Sequence, residues 1–218
     1  KKEDIEIAGF LAATIAWGQR KTIINNAHRM MEAMDHAPHD FIVNHQSADR
    51  MRFKGFVHRT FNEVDAMYFM EVLQHLYVCE QGLEGAFIEK PDVDAKERIS
   101  HFHQQFFSIE HLPRTKKHVS NPIKGSSAKR LNMYLRWMVR PNIEGIDFGI
   151  WKYMKPSELM IPLDVHTSTV GRKLGLLQRK QDDWKAVEEL TFALHHFDPV
   201  DPVKYDFALF GIGVSREA

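Results

Sequence analysis

The chain has 218 residues, 29 Lys and Arg against 29 Asp and Glu, a formal net charge of zero, 44% hydrophobic residues and a single cysteine, Cys79. That length can bury a substantial core as one large domain or two modest ones, and one cysteine excludes both an internal disulfide and a cysteine-ligated iron–sulfur cluster. No apolar run approaches the ~20 residues that span a bilayer, so no membrane partner is implied.

The opening Lys1-Lys2-Glu3-Asp4-Ile5 carries no signal-peptide pattern, and a cytoplasmic protein is expected. These residues already read as the head of an amphipathic helix, which implies further residues upstream. Over 4–17 the spacing of Ile5, Ala8, Leu11, Ala12 and Ile15 predicts that helix, ending near Trp17-Gly18. Gln19-Arg20-Lys21 reads as an exposed turn, and a second helix follows with Ile24, Ala27, Met31 and Met34 inward as core filler. Residues 35–61 read as irregular, with Pro38 and Gly55 as breakers and Arg50, Arg52, Lys54 and Arg59 as a basic cluster.

Asn62 and Asp65 have the form of a helix start, continued by Ala66, Phe69, Met70, Leu73, Leu76 and Tyr77, with Cys79 as inert packing. A shorter helix over Leu83–Glu89 is expected to stop at Lys90-Pro91. Ile99, Phe102 and Phe106 predict another helix from Asp94, in which His101 and His103 fall on different faces and cannot share a metal ion. From His111 to Ile143 the basic residues are Arg114, Lys116, Lys117, Lys124, Lys129, Arg130, Arg136 and Arg140, with no acid, leaving 21 basic against 29 acidic residues elsewhere. Such a block has the form of a polyanion footprint, and equally of a solvated basic face.

Within the block the breakers Pro113, Pro122 and Gly125 predict two short helices around a tight hairpin, the second over Ser127–Val139 with Leu131, Tyr134, Leu135 and Met138 inward. Asn142–Leu159 reads as a loop insertion. Asp164 is placed to cap a helix reaching Gly171–Gly175, another helix is expected from Asp182 to Leu194, and Asp201-Pro202 opens a last one ended by Gly211. No stretch alternates with period two, so the fold class is all-α.

Two stretches carry chemistry. Ile123-Lys124-Gly125-Ser126-Ser127-Ala128-Lys129 is a Gly/Ser turn opening a helix, whose bare amides can hold a phosphate; Leu163-Asp164-Val165-His166 fixes a carboxylate at a helix start. Together they resemble the hairpin and the aspartate segment of the helix-hairpin-helix superfamily of DNA glycosylases, which includes endonuclease III and the 8-oxoguanine glycosylases. Ala16-Trp17-Gly18-Gln19 is more loosely similar to the part that fills the gap left by a flipped base, and the nearest subgroup is an uncharacterised bacterial one. Ser127 stands where the family hairpin has its second glycine, the 35 positions between Lys129 and Asp164 exceed those of endonuclease III, and the cluster cysteines are absent.

The resemblance implies one helix-hairpin-helix unit over 1–218 with two helical lobes and a cleft between them, residues 35–140 forming one lobe and 1–34 with 141–218 the other. It implies Lys129 as nucleophile and Asp164 as its carboxylate partner. Lys124, Gly125, Ser126, Ser127, Arg130 and Arg136 would contact DNA, with His166 beside them as a hydrogen-bonder and Gln19 as the gap-filling wedge. The implied function is base excision with associated lyase activity on an oxidised purine such as 8-oxoguanine, through a lysine Schiff base. The partner is then duplex DNA bearing a damaged base, met by a monomer in the nucleoid, with no metal or cofactor. Two other readings compete: a non-catalytic DNA-binding module that keeps the hairpin alone, and a helical protein-interaction domain, which leaves the acid-free basic block unexplained.

Overall fold

The structure, a computed structural model, describes residues 1–88, 93–143 and 145–215. It is predominantly α-helical, and no helix among the described residues is long and apolar enough to cross a membrane. The chain divides into two compact units, Lys1–Asp92 with His101–Val119 and Val93–Ser100 with Ser120–Ala218. This differs from the sequence-based division at both seams. Residues 1–34 fall with the segments that follow them, and the 120–140 stretch falls with the C-terminal half. The reason is packing that crosses the expected seams, as the two cores show.

In the first unit α1 (Lys2–Thr14) is followed by α2 (Arg20–Ala33), α3 (Pro38–Asn44), α4 (Glu63–Cys79) and α5 (Gly82–Ala86). Its core is a cluster of phenyl rings: Phe10 of α1 lies 5.9 Å from Phe69 of α4 and 5.4 Å from Phe106, and Phe69 lies 4.8 Å from Phe106. Phe102 and Phe106 belong to α6 (Ala95–Phe106), and Phe87 stacks on Phe102 at 4.0 Å. Each ring removes a large apolar area from water, and the tilted and edge-to-face pairs add a quadrupole term.

Several helix faces and segments differ from expectation. α1 buries Leu11, with Ile15 just past its end, as expected, but its inward side also takes in Ile7, Phe10 and Thr14, while Ile5, Ala8 and Ala12 are only partly buried. α2 turns Asn26 and Met30 inward and leaves Ile24 exposed, because the buried imidazole of His58 takes the Asn26 side chain at 2.9 Å. The 35–61 stretch is not irregular throughout: it holds α3, a 3₁₀ turn over Asp49–Phe53 and a short antiparallel pair, β1 (Val57–His58) and β2 (Phe61–Asn62). Cys79 is exposed at the end of α4 instead of packed, and Arg50 and Arg52 of the basic cluster pair with Glu71 and Asp35. The Lys90-Pro91 stop lies outside the described residues.

The second unit is built on α7 (Lys129–Val139), α8 (Val165–Lys173), α9 (Trp184–His195) and α10 (Asp206–Ser215). Tyr134 and Met138 of α7 are fully buried, as are Val187 and Leu190 of α9. The helix expected before the hairpin is only a pair of 3₁₀ turns, Pro113–His118 in the first unit and Pro122–Lys124 in the second. α9 is capped by Asp183, whose carboxylate accepts from the Ala186 amide at 3.2 Å, one residue beyond the expected Asp182. Asp201-Pro202 opens a 3₁₀ turn, Pro202–Tyr205, that leads directly into α10, but the Asp201 carboxylate is taken by Arg140 and makes no side-chain cap, and α10 continues through Gly211.

The 142–159 loop folds back on α7. Its Phe148 and Trp151 amides donate to the Trp137 and Met138 carbonyls at 2.7 and 2.9 Å, and the Trp151 ring meets Tyr134 edge-on at 5.4 Å. Gly149 permits this return: its φ is +60°, and a Cβ there would lie 2.9 Å from the Arg140 carbonyl oxygen.

One buried carboxylate organises the first unit. Asp65, at the third position of α4, closes a capping box with Asn62 and receives Thr115 Oγ1 at 2.8 Å, Arg114 Nη1 at 2.7 Å and His118 Nε2 at 3.1 Å. Burial alone would raise its pKa, but the hydrogen bonds from His118, the Asn62 amide and Thr115 outweigh it and hold it at about 2. A depressed carboxylate stabilises the fold above its unfolded pKa and loses that contribution as pH falls through the folded value. Asp65→Asn is therefore expected to destabilise the chain by ~3 kcal/mol at neutral pH, read from the urea midpoint, and to remove much of the loss of stability between pH ~4 and ~2.

Candidate active site

The turn before α7 is set by two left-handed residues. Asn121 accepts from the Ile123 amide at 2.9 Å and starts the Pro122–Lys124 turn, which Gly125 ends at φ +88°. A Cβ at Gly125 would meet nothing within 4 Å, so glycine is required by backbone conformation and not by space. Ser126 pairs with Asp183, the Trp184 amide donates to the Gly125 carbonyl at 3.1 Å, and Ser126 Oγ accepts from the Ala128 amide at 3.2 Å. Ser127 gives its carbonyl to Asn132 Nδ2 at 3.1 Å, and Ala128 is left-handed at φ 47°. The turn is thus held from both sides, and α7 begins at Lys129 itself, two residues later than expected.

A cation at the first residue of a helix faces the positive end of the dipole, and no side chain caps α7. Asp164 offsets this. Its Oδ1 caps α8, accepting from the His166 and Thr167 amides at 3.0 and 2.9 Å, while its Oδ2 lies 3.3 Å from Lys129 Nζ. Each oxygen has its own partner, so the carboxylate's orientation is fixed by the backbone of one helix and its free edge is turned to the amine of another. Both side chains are partly exposed, and the pair itself adds little to stability.

Lys129 and Asp164 line a cavity of about 260 Å³ whose apolar wall is Met133, Trp137, Ile146, Pro162, Phe207 and Phe210. Lys129, Met133, Arg136 and Trp137 follow one another at helical spacing on α7; Asp206, Phe207 and Phe210 share a face of α10. At the back is a row of alternating charges. Arg136 binds Asp206 and, at 3.2 Å, Asp147; Arg140 binds Asp147 at 2.5 Å and Asp201 at 2.8 Å. The Arg136 guanidinium also lies 4.3 Å over the Phe207 ring. Burial pushes the Asp206 carboxyl up to about 6 against the pull of Arg136, and the nearby Asp164 charge pushes the same way.

Lys124 and Gly125 are exposed, and Ser126 and Ser127 are half-buried in the turn. Arg130 is half-buried, and burial lowers its pKa to about 10. Arg136 is corrected: 3% exposed and locked between two carboxylates, it belongs to the interior and not to a phosphate-facing surface. His166 is exposed, with Nδ1 at 3.2 Å from the Gly213 carbonyl and its ring edge-on to Phe210. Gln19 precedes α2 in the first unit, exposed and making no side-chain cap. Among the described residues no group of three or more His, Cys, Asp or Glu is placed to hold a metal ion.

Sequence reasoning missed Trp137, Phe207, Phe210 and Asp206. The first was accessible by stepping four and eight residues along α7 from Lys129. The α10 residues were not, since nothing local links positions 206–210 to 129.

The raised Asp206 carboxyl has a thermodynamic consequence. A group whose folded pKa exceeds its unfolded value contributes stability that is full below the unfolded pKa and is lost as pH rises through the folded one. The stability difference between the wild type and Asp206→Asn should therefore move against the wild type from pH 4 to pH 7, by at most ~3 kcal/mol, in paired urea titrations. A difference moving in the wild type's favour would show the Arg136 attraction to exceed the burial cost.

No curated protein and no solved structure matches the chain. Over residues 1–215, however, it matches the family described as "Protein of unknown function (DUF2400)", and with nearly the whole chain covered it belongs to that family.

Proposed function

We propose that the chain is a DNA base-excision glycosylase with associated lyase activity, acting as a monomer on duplex DNA with Lys129 as nucleophile. The observation that carries this is the approach of Lys129 Nζ to within 3.3 Å of Asp164 Oδ2 at the wall of an aromatic-lined cavity. The likeness of Lys124–Lys129 and Leu163–His166 to the hairpin and aspartate segments of the helix-hairpin-helix glycosylases supports it, and an oxidised purine such as 8-oxoguanine is the substrate that likeness suggests.

The chemistry follows from the roles open to each group. A base inside a duplex is out of reach and must be swung into a pocket, with the lost stacking offset by contacts to the backbone. Lys129 Nζ, having passed a proton to Asp164 Oδ2, attacks C1′ of the deoxyribose. The glycosidic C1′–N bond breaks, its electron pair leaves with the base, and the base takes up a proton. Asp164 hands that proton on to the departing base, and the carboxylate so regenerated offsets the positive charge left on the sugar and on the newly bonded Nζ. The resulting aminal opens to a Schiff base, from which the 3′ phosphate can be eliminated.

The basic block supports this reading less than its composition suggested. Arg114, Arg136 and Arg140 are spent on Asp65, Asp147, Asp201 and Asp206, whereas Lys116, Lys117 and Lys124 remain exposed. Lys124, beside the Gly125 turn, is the candidate phosphate contact of the second unit.

Two experiments test the proposal. Borohydride should trap a covalent complex with an 8-oxoguanine duplex, Lys129→Gln should abolish trapping but leave binding, and Asp164→Asn should slow base release by ~10²-fold while keeping the helix cap. Trapping that survives Lys129→Gln would move the nucleophile elsewhere, and none across a lesion panel would leave a non-catalytic binder. Separately, duplex affinity should fall at least ~10-fold over a few-fold rise in salt, and Lys124→Ala should weaken binding on all sequences alike and flatten the salt slope by about one unit.

A further inference from the structure

The 260 Å³ cavity beside Lys129 has features that the lysine–aspartate pair does not use. Trp137 and Phe210 are among its apolar lining residues, and aromatic side chains are the kind on which a planar ring can stack. Its polar group besides the pair is Asp206, with Arg136 behind it. Arg136 takes Asp206 Oδ2, and Oδ1 makes no hydrogen bond among the described residues, on a side chain that is 12% exposed and lines the cavity. The carboxylate cannot turn away, since the guanidinium holding it is itself fixed by Asp147 and by the Phe207 ring. An open, immobilised carboxylate oxygen on an apolar wall is a hydrogen-bond acceptor waiting for a donor, and a ring edge without N–H groups would leave it unsatisfied.

We infer that Asp206 is the specificity-determining residue of this cavity, selecting a flat heteroaromatic ring whose edge carries N–H donors. The inference rests on the base-excision reading for the identity of the ring as a nucleobase. Asp147, reaching Asp206 through Arg136, is a positioning residue, which gives the 142–159 loop a role: it supplies Ile146 to the wall and holds the acceptor in register.

Two lesions distinguish the outcomes. In DNA, 8-oxoguanine presents N–H donors on its edges and 1,N6-ethenoadenine presents none, while both are flat and fused. Binding is compared in the Lys129→Gln background, where no chemistry consumes the duplex. The parent should bind the 8-oxoguanine duplex on the order of 10-fold or more tighter than the ethenoadenine duplex, and adding Asp206→Asn should erase or invert that ratio. A parent without preference, or a ratio that Asp206→Asn leaves unchanged, overturns the inference. The underlying reading is tested apart from it by borohydride trapping of the otherwise wild-type chain on an abasic duplex, which needs no base in the cavity; failure there removes Lys129 as nucleophile whatever the binding ratio shows. Should Asp206→Asn fail to melt cooperatively, Phe210→Ala at the cavity edge replaces it. That variant should lower both lesion affinities several-fold relative to an undamaged duplex, and an unchanged lesion-over-undamaged ratio overturns the cavity as the ring's site.

Discussion

The second unit depends on the row of charges Asp201, Arg140, Asp147, Arg136 and Asp206. Five ionised groups in or near the interior are costly to desolvate, and well-packed apolar side chains of equal volume could be at least as stable. What the row supplies is uniqueness of arrangement. Each guanidinium is shared by two carboxylates from different segments, so α7, the 142–159 loop, the turn before Pro202 and the start of α10 must all be in register before any one charge is compensated. A slip in one segment strands a buried charge, which costs several kcal/mol. The cavity beside Lys129 inherits its shape from that condition, since Trp137, Ile146 and Phe207 each adjoin a member of the row in sequence.

How much of this was legible in the sequence can be followed residue by residue. Helices with a capping signal at the start were read correctly, Asn62 with Asp65 for α4 and Asp164 for α8, as was α6, marked by its Ile99, Phe102 and Phe106 stripe. The approach of Lys129 to Asp164 came from motif resemblance, not from spacing, for two residues 35 apart have no local reason to meet. Failures arose where long-range partners decide the outcome. Asn26 faces inward because of His58, and the amphipathic pattern of α2 could not anticipate a buried amide. α1 is nearly surrounded, so periodicity gave little phase information.

The basic block shows the same limit in electrostatic form. Its stretch is free of acids, and on that ground it looked like a surface awaiting a polyanion. Three of its arginines are instead neutralised by carboxylates at 65, 147, 201 and 206, two of them near the C-terminus. Charge segregation along a chain says nothing about segregation in space once the chain folds back. Exposed lysines such as Lys124 are the better guide, because a lysine with no acidic partner among the described residues keeps its charge for something else.

The division of labour within Asp164 reaches beyond the chemistry of one molecule. One oxygen holds the start of α8 and the other addresses Lys129. Asparagine keeps the first function, because an amide oxygen caps a helix as well as a carboxylate does, and it gives up the second. A single-nucleotide change in the codon therefore separates the helix cap from the charge facing Lys129 with almost no loss of folding. If the base-excision proposal holds, members of the family carrying Asn at this position would keep the fold and lose the reaction, and comparing this one column across genomes would sort the two groups.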